Sequence, residues 1–306
     1  MNDSRPPVSV IMRSRNAEGV IGQALAALFS QSYRDFELLV VDSGSTDRTL
    51  ELVAPYPHRL KRIEPGDYFP GRVLNEAIAE TRGEVVVFLN SDAVLLVPDA
   101  LQILVDAFGD PAVQAAFARQ VPRPEAHTWV RRDYAASFPA RGPAPAWITL
   151  SLPFAGMRRS AWKQHPFHLD AWGSEDTEWG HWARLHGLTV RYLVGALVMH
   201  SHNYTLRQLY GRRFIEGEAD ALLRRRPENM LRMGGRVLSS LLHDLPALLR
   251  ARDPGGLLLA PARRLVFHWG WLRGYRHGWK RITTGSGDAS HGQKVVLERH
   301  DATLRP

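Results

Sequence analysis

Three short apolar runs, each closing on polar residues, set the rhythm of the first hundred positions. They are residues 8–12 (VSVIM), 36–41 (FELLVV) and 84–89 (EVVVFL). Continuous apolar stretches this short, without a polar face, predict strands buried on both sides. Between them the period changes. Val20, Ile21, Ala24, Leu25, Leu28 and Phe29 recur at helical spacing behind Asn16, a candidate N-cap. A short helix is expected through Leu50 and Val53. Leu74, Ala77 and Ile78 mark another, stopped by Gly83, and Pro98 opens a further one carrying Leu101, Leu104, Val105 and Phe108. Strands alternating with helices predict an α/β fold: a Rossmann-like, mostly parallel central sheet flanked by helices.

Ligands in such sheets sit outside the C-terminal strand ends. The second run ends at Asp42, in DSGSTD, and the third at Asn90, Ser91 and Asp92. A third acidic group opens the segment SEDTEWGHWARLHG, residues 174–187. There Ser174 is the expected N-cap, Gly187 the expected stop, and Glu175 and Asp176 occupy the first turn. The helix dipole favours carboxylates at that position, so Asp176 is expected to be ionised at neutral pH without a large upward pKa shift. Any one of these acids could be a cap or a loop residue. Two at strand ends plus an acidic helix start point to a site.

Composition changes the picture in two places. The chain has no cysteine, which removes disulfides, thiolate catalysis and cysteine–zinc sites. No stretch reaches the roughly 18 apolar residues of a spanning helix, and the first ten residues carry no apolar signal core. The expected place is the cytoplasm, at most against the inner face of the cytoplasmic membrane. The net charge of +8 is uneven: residues 221–281 hold 13 Lys/Arg against 3 Asp/Glu, a balance of +10 that leaves the rest at −2. Residues 216–284 read as basic amphipathic helices broken at Pro227, Pro246, 253–256 and Pro261. Trp269, Trp271, Tyr275 and Trp279 interleave there with Arg273, Arg276 and Lys280. That mixture suits an anionic membrane surface. A packed helical appendage, or a contact between copies in a homo-oligomer, would use the same residues. Residues 285–306 are polar and aperiodic, and are expected to be a flexible tail.

The order VSVIMRSRN, VVDSGSTD, GRVLNEAIAETRGEVVVFLNSDA, GSEDTEW and VMHSH resembles glycosyltransferase family two over about residues 7–215. The variant with DSGSTD and FLNSDA is most similar to its bacterial rhamnosyltransferase-like members. The resemblance implies a GT-A fold in residues 1–215, with a nucleotide-binding half at 7–110, an acceptor-side half at 111–215, and a C-terminal helical appendage. It implies an inverting transfer of a sugar from a nucleotide-diphosphate donor to a hydroxyl of a glycan or lipid-linked glycan. A divalent metal, Mn²⁺ or Mg²⁺, would assist, and no nucleic acid is expected as partner.

By the same resemblance, Asp42 and Ser43 would meet the nucleoside, helped by Arg13, Ser14 and Asn16. Arg72 and Asn75 would lie on the donor. Asn90, Ser91 and Asp92 stand where the family has Asp-x-Asp, with Asp92 the metal ligand; Asn90 departs from the pattern and suits a ribose hydroxyl instead. His200, ending the ALVM run, matches a metal-ligating histidine, with His202 as the alternative. Asp176 matches the catalytic base, oriented or assisted by Glu175. One of Arg207, Arg212 and Arg213 would pair with the diphosphate. The Pro-, Trp- and Arg-rich residues 119–163 read as an insertion of loops and short helices around the acceptor. Trp147, Trp162 and Trp172 are candidate sugar platforms, and Phe154, Ala155 and Gly156 the small-residue turn beneath the donor sugar.

The chemistry of these residue types agrees. A cation bridging two phosphates takes hard oxygen ligands, and an added imidazole tilts the choice toward Mn²⁺. Inversion needs a single base opposite the leaving group. Two other readings stay open: a sugar-1-phosphate nucleotidyltransferase, and a non-catalytic binding protein with a basic surface. The first would want a glycine-rich phosphate loop after the first strand, which RSRNAEGV does not supply.

Overall fold

The computed structural model describes residues 7–228 and 231–300. The three apolar runs are strands β1 (Val8–Ser14), β2 (Phe36–Asp42) and, after β3 (Arg59–Arg62), β4 (Val85–Leu89). Helices α1 (Ile21–Phe29), α2 (Thr49–Val53) and α3 (Pro70–Glu80) connect them. There follow β5 (Val94–Leu95), α4 (Ala100–Asp106), β6 (Val113–Val121), α5 (Thr128–Ser137), β7 (Phe154–Arg158), α6 (Arg159–Gln164), α7 (Glu175–Leu185) and β8 (Thr189–Met199). The chain ends in helices α8 (Leu206–Arg224), α9 (Leu231–Arg250), α10 (Pro254–Thr284) and α11 (His291–His300).

One eight-stranded sheet carries the order β3-β2-β1-β4-β7-β6-β8-β5. Only β5 and β7 run against the others, so β1, β2, β4, β6 and β8 all deliver their C-terminal ends to one edge. Alternate residues of each strand feed two cores. Val10 and Val87 pack with Leu25, Leu28, Leu101 and Leu104 of α1 and α4. Ile11 and Val86 pack with Leu74 and Ile78 of α3 and with Trp179 and Ala183 of α7. Burial on both faces is why the strands read as unbroken apolar runs.

Four expectations differ from the structure. Residues 119–163 hold more than loops and short helices: β6 runs to Val121, and β7 spans the segment expected as a small-residue turn. Phe154 and Ala155 are strand residues buried between β4 and β6, too few and too uniform to show a period. The helices α9 and α10 run through Pro246 and Pro261 without breaking. The helix α8 crosses the expected domain boundary at residue 215 unbroken. Finally, the expected tail contains α11, whose Val295 is buried with Phe214 and Ile215 of α8; residues 301–306 lie outside the described residues.

The C-terminal helices join the rest through small residues. A Cβ on Gly274 would overlap the Phe214 carbonyl, and one on Gly217 the Trp271 carbonyl. Backbone therefore meets backbone between α8 and α10. Trp271 is buried there, its Nε1 donating to Asp220 at 2.8 Å, and the Tyr275 hydroxyl donates to the Arg226 carbonyl at 2.7 Å. These two rings, expected at a surface, serve the helix pair.

Candidate active site

The ends of β1, β2 and β4 enclose a cavity of about 390 Å³. Arg13, Ser14, Asn16, Ser43, Asn90, Ser91 and Asp92 line it, all expected. The Ser14 hydroxyl is buried with no hydrogen-bond partner among the described residues. Asp42 sits at the β2 end as expected but faces its own loop. Its carboxylate accepts from the Gly44 and Ser45 backbone N–H at 3.2 and 3.0 Å and from the Ser45 hydroxyl at 2.5 Å. It shapes the wall that Ser43 presents. Asn16 is not a helix cap: it is left-handed at φ 46° and accepts from the Thr46 N–H at 2.9 Å. Two expected donor residues lie outside the cavity. Arg72 is exposed, its guanidinium 5.9 Å from the Phe69 ring. Asn75 ties α3 to α6 through the Trp162 indole and to the loop after α6 through the Phe167 backbone.

The end of β8 meets the turn after β4. His200 and His202 place Nε2 3.6 and 3.3 Å from the Asp92 carboxylate, and the three ligand atoms lie within 4.8 Å of one another. Both histidines weighed from the sequence are therefore present in one cluster. His200 is buried, and its Nδ1 lies 3.0 Å from the Gln120 amide oxygen. Because that oxygen only accepts, Nδ1 carries the hydrogen and Nε2 keeps its lone pair toward Asp92. Burial pushes the His200 pKa down to about 4 against the pull of Asp92, so the ring is neutral. Gln120 in turn donates to the Ser151 hydroxyl at 2.7 Å, and Arg123 donates to the Asp92 carbonyl at 2.6 Å. One carboxylate with two imidazoles, one of them oriented by a second hydrogen bond, is a donor set that fits a divalent transition-metal cation such as Mn²⁺.

Beyond this cluster a second chamber of about 390 Å³ is shared by Asn90, His200, His202, Tyr134, Arg212 and the start of α7. Ser174 stands at the cap position but is left-handed, at φ 59°, and makes no side-chain cap bond. The stop is as expected: Gly187 is at φ +69°, with Leu188 N–H bonded to the Ala183 carbonyl at 2.9 Å. Asp176 faces the chamber and accepts from Thr177 N–H at 2.7 Å. Its pKa is raised, by burial first and then by the Glu175 carboxylate, with Arg212 and the Thr177 and Leu152 N–H groups pulling the other way. Burial thus works against the ionised form that the helix dipole favours. Glu175 is buried and accepts from Arg13 at 2.9 Å, which locks α7 to the end of β1.

Asp176 and Arg212 also line an open groove of about 770 Å³ that includes Trp147, which is 66% exposed. Trp172 is buried between the first two cavities, with its Nε1 donating to the Tyr68 carbonyl. Gly156 lies in neither: it is a mid-strand position of β7 where a Cβ would press on the Phe108 ring at 2.8 Å. Tyr68, Gln120, Tyr134 and Gln293 line these cavities without any signal in the sequence. Only the arrangement of strands and helices brings them there.

The sequence profile described as Glycosyl transferase family 2 matches residues 9–168. The O-antigen chain rhamnosyltransferase RfbN of Salmonella typhimurium is 30% identical over 225 residues, 69% of this chain and 71% of that one. WbaN of Salmonella anatum, also an O-antigen chain rhamnosyltransferase, is 28% identical over 62% of this chain and 64% of its own. The fold is similar to that of a mannosyltransferase from Pyrobaculum calidifontis, solved with GDP-Man and Mn²⁺: TM-score 0.59 and 19% identity, covering 99% of this chain and 82% of that one. It is also similar to Staphylococcus aureus TarS 1-349 solved with UDP: TM-score 0.54 and 19% identity, over 91% and 92% of the two chains. The architecture is the GT-A fold of glycosyltransferases. The profile spans more than half the chain. This chain is a glycosyltransferase and belongs to glycosyl transferase family 2.

Proposed function

We propose that the chain moves a sugar, with inversion, from a nucleotide-diphosphate donor at the Asp92 end of the sheet to a hydroxyl of a glycan or lipid-linked glycan, with Asp176 as base. The observation that carries this reading is the position of Asp176. Its carboxylate opens both into the chamber shared with Asn90, His200 and His202 and into the groove beside Trp147. Asp92, His200 and His202 would hold Mn²⁺ or Mg²⁺, which when bound offsets the charge developing on the departing diphosphate. Asn90 and Ser43 offer hydrogen bonds to the donor. Trp147 offers the acceptor sugar an exposed ring face. Asp176 takes the proton of the attacking hydroxyl, and its raised pKa makes it a stronger base than an ordinary carboxylate. Arg13 holds Glu175 so that the α7 start keeps its place.

The test is transfer by the purified chain with UDP-, GDP- and dTDP-sugars, Mn²⁺ and glycan acceptors, following the released nucleotide and the anomer formed. Release of nucleoside diphosphate with an inverted linkage is expected. Release of pyrophosphate would instead make the chain a nucleotidyltransferase, and nucleotide binding without turnover a binding protein.

The same reading gives the C-terminal helices an anionic membrane surface as partner. Among the described residues no helix is long and apolar enough to cross a membrane. Leu238, Leu242, Leu245 and Leu249 of α9 are 43–60% exposed at spacings that share one helix face. On α10 the exposed Leu258, Leu265 and Trp269 repeat the pattern, and the same face continues into exposed Arg273, Arg276 and Lys280. The acids between residues 233 and 284 are Asp244, buried against Arg264 at 2.5 Å, and Asp253, which caps α10. An apolar face rimmed only by cations complements anionic lipid. Flotation with phosphatidylglycerol vesicles should carry the protein at low salt, less at high salt, and not at all for Leu242→Asp. No flotation at low salt removes the membrane; a dimer that Leu242→Asp dissolves assigns the face to a second copy.

A further inference from the structure

We infer that the last helix, α11, closes the nucleoside half of the donor cavity, with the Gln293 amide set to read the edge of the base. The inference rests on the donor-cavity reading above and adds residues that the family profile does not reach, since that match ends at residue 168.

The cavity has two chemically different ends. Asp92 and His202 mark the end suited to a cation and a diphosphate. Gln293 marks the other: its Nε2 lies 3.5 Å from the carbonyl of Pro65, which opens the turn Pro65–Asp67 after β3. Around Gln293 the lining is apolar, made by Pro65, Tyr68, Trp172 and Val296. The Tyr68 and Trp172 rings meet edge to face at 6.1 Å, and Trp172 Nε1 donates to the Tyr68 carbonyl at 3.2 Å, so this wall is fixed. A nucleobase has two apolar faces and a polar edge of donors and acceptors. An apolar wall with aromatic rings and one amide beside it matches that description, since an amide supplies both a donor and an acceptor. The contact with Pro65 is longer than an ordinary N–H···O bond, so a base can take over the amide at little loss.

The helix is seated well enough to do this. Val295 is buried with Phe69, Trp172, Phe214 and Ile215. Gly292 lies so close to α8 that a Cβ there would stand 3.0 Å from the Glu218 carboxylate and 3.3 Å from the Trp172 Cβ. Packing is thus the task of residues 292 and 295, while residues 293 and 296, on the adjoining helix face, line the cavity.

Two measurements on the full chain test the inference. Amide hydrogen exchange is compared with and without saturating nucleoside diphosphate and Mn²⁺. Calorimetry then gives the affinities of UDP, GDP and dTDP for wild type, Gln293→Ala and Val296→Trp. Expected are protection of residues 288–296 alongside 13–16 and 90–92, and a roughly three- to tenfold weaker preferred nucleotide in Gln293→Ala, the usual worth of one hydrogen bond. The preference among the three nucleotides should narrow as well. Val296→Trp, which fills the cavity, should weaken all three. If wild type binds a nucleotide while residues 288–296 exchange unchanged and both variants bind normally, α11 is packing alone and the donor site stands. If wild type binds none of the three, the donor site itself is wrong and the inference falls with it.

Discussion

Asp92 and Asp176 are held in place by different means. Asp92 follows β4, in which every residue is buried and which is paired on both sides, parallel with β1 and antiparallel with β7. Its position is set by backbone hydrogen bonds that any strongly apolar strand would make. Asp176 stands on the first turn of α7, and its position depends on side chains: Trp179 and Ala183 in the core, Gly180 against Thr149, and Arg13 on Glu175. The contrast extends outward, from sheet edge on the donor side to α8 and α10 on the other, where helices touch backbone to backbone. A sheet edge presents functional groups almost automatically. A helical wall presents them only if its packing is right.

The largest effect expected from breaking that comparison is at Asp176. Asp176→Asn keeps the shape of the helix start but cannot take a proton, so transfer should fall roughly 10²–10⁴-fold with donor affinity unchanged. The wild-type rate should also show the shift. A base works only when deprotonated, and burial raises this carboxyl, so the acid limb of kcat/KM against pH should lie above the ordinary aspartate range. Near-normal turnover in a folded Asp176→Asn sample would put the base elsewhere.

A pair of glycine substitutions sharpens the same contrast. Gly274→Ala should cost about 1–3 kcal/mol in urea unfolding, because the added methyl meets the Phe214 carbonyl. Gly22→Ala in α1, where nothing lies within 4 Å, should be neutral or stabilise by about 0.5–1 kcal/mol. Equal costs would mean that the α8–α10 contact is looser than described.

The smallest effect concerns Glu218, which is fully buried between α8 and α10. Burial pushes its pKa up to about 7, against Arg281 at 2.7 Å. The folded chain then holds a proton that the unfolded chain releases near 4.5. This contribution is present at low pH and is lost as pH rises from about 4.5 through 7. Glu218→Gln should flatten that part of the profile of melting temperature against pH. An unchanged profile would assign the slope to other groups.

What the sequence disclosed follows the same division. β1, β2 and β4 were legible because burial on both faces leaves an unmistakable apolar run, and Asp92, Ser43 and Asn90 followed from where those runs stop. β7 was not, since FAGMR is five residues of mixed size whose strand character comes from its neighbours. Asn16 and Ser174 were read as caps because their residue types favour it, but both are left-handed and serve loops. Arg72 and Asn75 share a helix with core residues, and periodicity does not say which sector of its polar face meets the cavity. Gln120 and Gln293 are ordinary polar residues until the fold sets one on His200 and the other beside Pro65. Pro246 and Pro261 signal breaks locally, but α9 and α10 run on through them.

The central claim is that Asp92, His200 and His202 form a cation-assisted nucleotide site at the sheet edge. Its most direct test is calorimetric titration of UDP, GDP and dTDP into wild type and Asp92→Ala, each with and without Mn²⁺, with circular dichroism confirming the fold of the variant. At least one nucleotide should bind wild type more tightly with Mn²⁺, and Asp92→Ala should lose that gain while keeping its secondary structure. An Mn²⁺-dependent affinity that survives in Asp92→Ala would contradict the assignment.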